Sequence, residues 1–139
     1  YLSLYFKRNR TEYYRLLDAV RSDGDWETWL EFFLTGVAET AGGAVETMHR
    51  LLALFREDES RVSQGAASLV RLYHALRAHP VANITELARR SETSFPTASA
   101  GIEKLVDLGI AREITGNQRN RVFAYVRYMA ILNEGAEPL

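Results

Sequence analysis

The side chains that most often carry enzyme chemistry form no catalytic pattern in this sequence. The chain has no cysteine, which excludes thiol nucleophiles, disulfides, zinc–thiolate sites and iron–sulfur clusters together. Its three histidines, His49, His74 and His79, have no partner at a metal-binding spacing. No glycine-rich phosphate loop occurs, and no pair of carboxylates is placed for acid–base chemistry. We therefore expect no catalytic residue and no metal site in this chain.

Polar and basic side chains of the C-terminal half are suited to binding nucleic acid. Hydroxyls, carboxamides and guanidinium groups contact base edges or phosphates, and cations neutralise the backbone. The residues with this chemistry are Arg89, Arg90, Ser94, Thr97, Ser99, Lys104, Asn117, Gln118, Arg119 and Arg121. Lys104 is the one cation between residues 94 and 108, and it follows Glu103. The alternative therefore stays open that this half docks a protein and that its arginines are solvated surface.

Charge is divided unevenly along the chain, whose formal net charge is −1. Residues 1–65 hold 8 Lys and Arg against 11 Asp and Glu, a balance of −3, whereas residues 66–139 hold 9 against 7, a balance of +2. The hydrophobic pattern changes at the same place, so the sequence predicts two domains, 1–65 and 66–139. No apolar run is long enough to span a membrane and no signal region opens the chain, which favours a cytoplasmic protein with no membrane partner.

Apolar residues recur at helical spacing through most of the first domain. The spacing predicts two short helices over residues 1–22, broken near Thr11, which would cap the second of them. A longer helix is predicted to follow the cap Asp25 and to run over residues 26–58. Two glycines at 42–43 predict a kink or a close helix contact in its middle.

The long helix carries a broad apolar and aromatic stripe, and the few helices around it are too small to cover the whole stripe. We therefore predict that this half binds another polypeptide surface. The predicted interface residues are Tyr5, Phe6, Trp26, Trp29 and Phe33.

A set of aromatic and charged runs in the first domain forms a recognisable pattern. The runs are YLSLYFKRNR at residues 1–10, EYY at 12–14, GDWE-x-W at 24–29 and FFL-x-GV at 32–37. The pattern resembles the C-terminal part of a Fic-type domain. The resemblance implies helices that follow the catalytic loop of an all-helical core, which transfers AMP from ATP to a protein hydroxyl. ATP, magnesium and an upstream Fic catalytic core are thereby implied for a longer parent protein.

The catalytic signature of that family, His-Pro-Phe-x-x-Gly-Asn-Gly-Arg, does not occur in this sequence. The one His-Pro pair, His79-Pro80, is followed by Val-Ala-Asn-Ile, and we interpret the proline as a helix terminator. By this resemblance the chain alone would not be an enzyme, whereas its parent would be a protein adenylyltransferase.

A pattern of short elements begins at Ala66. One amphipathic helix is predicted over 66–78, and a shorter one starts at the cap Asn83 and ends near Arg90. A third helix is predicted from the cap Ser94 to Gly109.

A hairpin follows these helices, with strands predicted over 110–115 and 121–127 around a turn at 116–120. A last short helix is predicted over 128–133. Two short helices about a tight turn, followed by a hairpin, make the winged helix-turn-helix layout. The predicted fold is therefore mainly α: a helical Fic-core remnant, then a winged helix-turn-helix with a small β-hairpin wing.

Three runs of the second domain carry a further resemblance: Glu-Leu-Ala at 86–88, Ser-x-Pro-Thr at 94–97 and Leu-x-x-Leu-Gly-Ile at 105–110. They resemble the winged-helix regulators of prokaryotes. That resemblance implies duplex DNA as a partner, with the helix after Ser94 in the major groove and the hairpin tip at the neighbouring backbone or minor groove. The alternative to the Fic interpretation is a free-standing transcriptional regulator, a homodimer held together by the aromatic helices.

Overall fold

The structure is a computed structural model that describes residues 2–134. Within that range the chain is mainly helical, with seven helices and one small antiparallel sheet, as the sequence predicts. It divides into two compact units, Tyr1–His49 and Arg50–Leu139. The predicted domain boundary at residue 65 falls in the loop that follows the long helix, and as a domain boundary it stays a prediction.

The first unit begins with two helices, α1 (Leu2–Arg8) and α2 (Arg10–Asp23). The prediction that Thr11 caps α2 is wrong, because the helix starts one residue earlier and Asn9 occupies the cap position without a side-chain hydrogen bond. The backbone of Gly24 adopts the left-handed conformation at φ 71°, which ends α2 and favours glycine.

The long helix α3 (Trp26–Val62) is continuous over 37 residues. Its predicted cap is confirmed, since an Asp25 carboxylate oxygen accepts hydrogen bonds from the Thr28 amide at 3.2 Å and the Thr28 hydroxyl at 2.9 Å. Of the two alternatives predicted at Gly42 and Gly43, the close contact is absent, because among the described residues no atom of a neighbouring element lies within 4 Å of a Cβ built at either glycine, and the kink stays a prediction. The hydrogen-bonded helix tolerates both glycines because each costs only about 1 kcal/mol.

Aromatic side chains hold α1 and α2 against the first part of α3. The Tyr5 ring lies 5.2 Å from the Phe32 ring, centroid to centroid, and it covers Gly36 so closely that a Cβ there would be 2.5 Å from a ring carbon. The Phe6 ring contacts the rings of Tyr13, Trp29, Phe32 and Phe33.

The second unit contains the last part of α3 and four more helices, α4 (Ala67–Ala78), α5 (Ile84–Arg90), α6 (Phe95–Asp107) and α7 (Val126–Asn133). The helix bounds agree with the sequence to within a few residues. The proline interpretation of His79-Pro80 fits, because α4 ends at Ala78 with His79 as its C-cap.

The sheet has one strand more than the predicted hairpin. Strand β1 (Val81–Asn83) pairs antiparallel with β3 (Val122–Tyr125), and β3 pairs with β2 (Ala111–Glu113), in the order β1-β3-β2. The sequence gives no sign of β1 because three residues are too short to show an alternating pattern. The layout of α4, α5, α6 and this sheet is that of a winged helix.

The core of the second unit lies between α4, α5, α6 and the sheet. Its fully buried large side chains are Val62, Leu72, Tyr73, Leu76, Leu87, Ile102, Leu105, Ile110, Phe123 and Tyr125. A glycine permits a close helix contact: a Cβ on Gly101 of α6 would lie 2.7 Å from a Leu72 methyl carbon on α4.

One carboxylate is buried in this core. From the sequence we interpret residues 57–59 as a solvated helix end. This interpretation is wrong for Asp58, which shares a helix face with Leu54 and Val62 and is fully buried. Its oxygen accepts a 2.7 Å hydrogen bond from the Tyr125 hydroxyl, and Arg127 lies 3.4 Å away. Burial raises the pKa of Tyr125, so that its hydroxyl remains a donor.

Within the described residues, no helix is both long enough and apolar enough to cross a membrane.

Candidate nucleic-acid interface

The helix-turn-helix consists of α5, the turn 91–94 and α6. Asn83 caps α5 by accepting a 2.9 Å hydrogen bond from the Glu86 amide, which confirms the predicted cap. Glu86 does not reach back to Asn83 as a capping box would require, because its carboxylate binds Arg89 and Arg90 instead.

Hydrogen bonds fix the turn between the two helices. The buried Ser91 hydroxyl donates to the Leu87 carbonyl at 2.7 Å and lies 2.9 Å from the Thr93 hydroxyl. Arg71 of α4 donates to the Ser91 carbonyl at 3.1 Å. Because Glu92 has a positive φ of 51°, the chain reverses direction sharply before α6 begins.

The first turn of α6 is exposed and well capped. The Ser94 hydroxyl accepts a 3.3 Å hydrogen bond from the Thr97 amide and lies 2.8 Å from the Thr97 hydroxyl. Pro96 occupies the first turn, where its missing amide hydrogen costs nothing. The helix buries Ala98, Gly101, Ile102 and Leu105, and its opposite face, including Thr97 and Lys104, is exposed.

The wing is the turn between β2 and β3, residues 114–121. The Glu113 carboxylate accepts hydrogen bonds from the Thr115 and Gly116 amides at 2.8 and 2.9 Å and from the Thr115 hydroxyl. These bonds, the Thr115 hydroxyl first, hold the pKa of Glu113 below its usual value. Gly116 and Asn120 complete the turn with positive φ angles of 67° and 54°.

The wing and the start of α6 lie on the same face of the second unit. A pocket of about 370 Å³ opens between them, lined by Phe95 of α6, by residues 83–85 and by wing residues 118–121. An ion pair joins the two elements, since Arg121 lies 2.6 Å from Glu103 of α6. The Arg121 guanidinium also stands over the Phe123 ring, 4.8 Å from its centroid.

Most cations of this face are already paired. Arg89 and Arg90 both bind Glu86, whose pKa is lowered by these two partners, Arg89 first. Arg121 binds Glu103. In the described range, Lys104 and Arg119 make no ion pair, so they are the cations immediately available to an anionic ligand.

The structure brings part of the predicted nucleic-acid set together. Ser94 and Thr97 lie at the exposed start of α6, whereas Ser99 is half-buried one turn later. Asn117, Gln118 and Arg119 are exposed on the wing. Arg89 and Arg90 lie at the end of α5, where their hydrogen-bond partner in the described residues is Glu86. That all ten residues contact a nucleic acid stays a prediction.

Five residues that line this pocket are not in the nucleic-acid set predicted from the sequence: Asn83, Ile84, Thr85, Phe95 and Asn120. Phe95 is 53 % exposed although it is a large aromatic residue, and Thr85 lines the same pocket. Phe95 follows the cap Ser94 and lies off the apolar stripe of α6, a signal that the sequence contains. Nothing local singles out Thr85, because only the packing of the wing beside α5 places it there.

The predicted interface residues of the first unit fall into two groups. Tyr5, Phe6, Trp29 and Phe33 take part in the aromatic contacts among α1, α2 and α3. Trp26 is 60 % exposed at the start of α3. A role of these five residues in binding a partner stays a prediction.

In comparisons with known proteins, no family model matches the chain. A similar solved structure is described as a MarR family transcriptional regulator from Silicibacter pomeroyi DSS. It is 22% identical, the match covers 84% of this chain and 71% of that chain, and the TM-score is 0.41. A similarity of this degree assigns no function.

The Fic interpretation is corrected by these findings. No family model matches the chain, and so no model of the Fic family does. The aromatic pattern that carried the resemblance has a structural explanation within the chain, because its rings pack α1 and α2 onto α3. The ATP, magnesium and upstream catalytic core that the resemblance implied rested on it alone. What remains is a mainly helical protein with a winged-helix unit.

Proposed function

We propose that the second unit binds duplex DNA, with α6 in the major groove and the wing against the neighbouring backbone or minor groove. The observation that carries the proposal is the shared face: the exposed start of α6 and the wing tip line one pocket and are joined by the Arg121–Glu103 ion pair. A helix that enters a major groove and a turn that reaches the adjacent backbone need this arrangement.

A DNA-binding face has two tasks, contacting base edges and neutralising the phosphate backbone, and the side chains of this face offer groups for both. Thr97 lies where a hydroxyl can contact base edges or phosphates, and Lys104 is placed to neutralise a phosphate. On the wing, Asn117, Gln118 and Arg119 offer donors to the backbone or to the minor groove. The α6 surface has few bidentate base readers, so we expect modest sequence discrimination.

Ion pairs within the face set the expected affinity. Exposed pairs contribute little, so Arg89, Arg90 and Arg121 can exchange their carboxylates for phosphates. At about −0.9 per phosphate, the slope of log K against log salt is about −2 if only Lys104 and Arg119 contact phosphates and about −4.5 if all five cations do.

The test is affinity for a mixed-sequence duplex, measured by fluorescence anisotropy across a salt series. Arg119→Ala should weaken binding and make the salt slope less negative by about 1, because one phosphate contact is lost. Arg56→Ala is the matched control, since Arg56 is an exposed arginine on α3. Binding that is absent, or that responds equally to both variants, contradicts the proposal and favours a protein-docking role.

We also propose that two copies of the chain act together, as in the alternative of a dimeric regulator. The exposed apolar residues of α3, which include Trp26, Leu30 and Leu34, favour association. Two winged helices held in one particle contact twice as many phosphates as one, which compensates for the few free cations of each.

A further inference from the structure

One face of α3 in the first unit is apolar and bare. Its residues are Leu34, Val37, Ala41, Val45 and Met48, here called the α3 stripe, and all five are exposed. At about 100° per residue, they lie within about 40° of one another's mean direction around the helix. Leu34, Val45 and Met48 each expose more than half of their surface, which is unusual for large apolar residues on one helix face.

The spacing of the stripe is symmetric about Ala41. Leu34 and Met48 lie seven residues before and after it, and Val37 and Val45 lie four residues before and after it. Reversing the direction of the helix therefore superposes the pattern on itself. A surface with this property can pair with an identical copy across a two-fold axis.

The other sides of α3 are unsuited to pairing. Tyr5 covers Gly36, which lies about 140° around the helix from Ala41. Glu39 and Glu46, the charged residues between Leu34 and Met48, lie about 160° and 140° from it. The stripe and its flanks hold no charge, so two copies can approach without bringing like charges together.

We infer that α3 pairs antiparallel with α3 of a second copy, with Ala41 on the two-fold axis. Leu34 then lies opposite the partner's Met48, and Val37 opposite the partner's Val45. The small side chains of Ala38, Ala41 and Ala44 allow the helices to approach closely at the centre, while larger side chains interlock on either side. The inference rests on the proposed function in one respect: it names the surface through which the two copies of that proposal associate.

The size of the stripe sets the expected affinity. With Ala41 on the two-fold axis, Leu30 lies opposite the partner's Leu52, and both residues are exposed, so the pair extends over residues 30–52, about 33 Å or roughly three heptads. Such a helix pair buries on the order of 1,000 Å², near the lower limit for a specific interface. We therefore expect a dissociation constant in the micromolar range.

Disulfide cross-linking tests the register, because the chain has no cysteine and each introduced one reports a single position. Ala41→Cys should form a covalent dimer on mild oxidation, whereas the control Glu39→Cys, on the opposite side, should not. A mixture of Leu34→Cys and Met48→Cys chains should cross-link with each other, but neither should cross-link alone. Efficient cross-linking of Leu34→Cys with itself would mean parallel helices and would overturn the inference.

Sedimentation of the unmodified chain over a concentration series tests the pairing without any substitution. The expected result is a monomer–dimer equilibrium that Val37→Asp shifts at least tenfold toward monomer, while Glu39→Gln leaves it unchanged. Far-UV circular dichroism checks that each variant keeps its helices. A chain that stays monomeric at about 100 μM, well above a micromolar dissociation constant, overturns the inference and assigns the stripe to a different protein. None of these measurements uses DNA, so their outcome does not depend on whether the chain binds DNA.

Discussion

The two units of this protein bury their apolar residues to very different extents. In the second unit, residues from α3, α4, α5, α6 and the sheet form one core that includes Tyr73, Leu105 and Phe123, each with no exposed surface. In the described part of the first unit, Leu16 is the one large apolar residue that is buried, while Leu30, Leu34 and Met48 are more than half exposed. Both units contain many apolar residues, but only the second unit buries them in a core.

The difference follows from the number of directions from which each unit covers its apolar surface. The core of the second unit takes side chains from the last part of α3, from α4, α5 and α6, and from all three strands of the sheet. The first unit has α1 and α2 on one side of α3, and they cover only the aromatic face. The first unit therefore leaves one apolar face of α3 exposed, whereas the second unit encloses its apolar residues in a core.

Truncating one side chain in each unit should give the largest contrast. Ile102→Ala should lower the free energy of unfolding by about 3 kcal/mol, because it opens a cavity in a closely packed core. Leu34→Ala should change it by less than about 0.5 kcal/mol in a dilute monomer, because the side chain is already in water. Urea denaturation measures both. Equal losses of unfolding free energy in the two variants would show that the two units do not differ in how far they bury their apolar side chains.

Alanine substitutions at two glycines of α3, Gly36 and Gly42, test the packing of the first unit. Gly36→Ala places a Cβ 2.5 Å from the Tyr5 ring, and displacing the ring should cost about 1–3 kcal/mol. Gly42→Ala meets no neighbouring side chain in the described structure and should stabilise the helix by up to about 1 kcal/mol. Thermal unfolding monitored by circular dichroism distinguishes the two. Stabilisation by both changes would mean that α1 does not pack on α3.

Removing one carboxylate tests whether ion pairs restrain the proposed DNA-binding face. Glu86→Gln should free Arg89 and Arg90 and raise affinity for duplex DNA about three- to tenfold, with a steeper salt dependence. Glu92→Gln is the matched control, because it removes the same charge from the neighbouring turn, where Glu92 makes no ion pair in the described residues. If both variants gain equally, the gain comes from net charge and not from released arginines.

The smallest expected effect is a pH dependence at the start of α3. Hydrogen bonds from Thr28, its side chain first, hold the pKa of Asp25 below its usual value. A carboxylate with a lowered folded pKa stabilises the helix above its unfolded pKa, and this contribution is lost as the pH falls through the folded pKa.

The protection factors of the amides of residues 26–29, which are exchange rates corrected for the pH dependence of unprotected amides, should therefore fall below about pH 4. In Asp25→Asn these protection factors should stay constant, because asparagine caps without titrating. The same loss of protection in both proteins would attribute the effect to another group.

Local features of the sequence were predictable. Asp25, Asn83 and Ser94 are polar residues placed directly before apolar helical patterns, and each accepts the expected amide hydrogen bond. The pairing of Arg89 and Arg90 with Glu86 also lies within one helix turn, so helical spacing alone could have indicated it. The Thr11 prediction failed because Asn9, two residues earlier, also fits the start of the helix.

Features that join distant residues were not predictable. The Arg121–Glu103 ion pair spans 18 residues and depends on the wing folding back onto α6. The Tyr125–Asp58 hydrogen bond spans 67 residues, and although helical spacing places Asp58 on the face of Leu54 and Val62, nothing near it in the sequence identifies Tyr125 as its partner. Strand β1 exists because β3 has an open edge for it, and three residues cannot reveal that in advance.

The sequence by itself determined most helix bounds to within a few residues, since capping and helical spacing are interactions between residues close in the chain. It also determined the order of elements that makes a winged helix. Only the tertiary structure decided which apolar face of α3 is covered and that Arg121, on the proposed DNA-binding face, is neutralised by Glu103. Both depend on which surfaces meet in space, and a one-dimensional pattern shows that a face is apolar or charged without showing what lies against it.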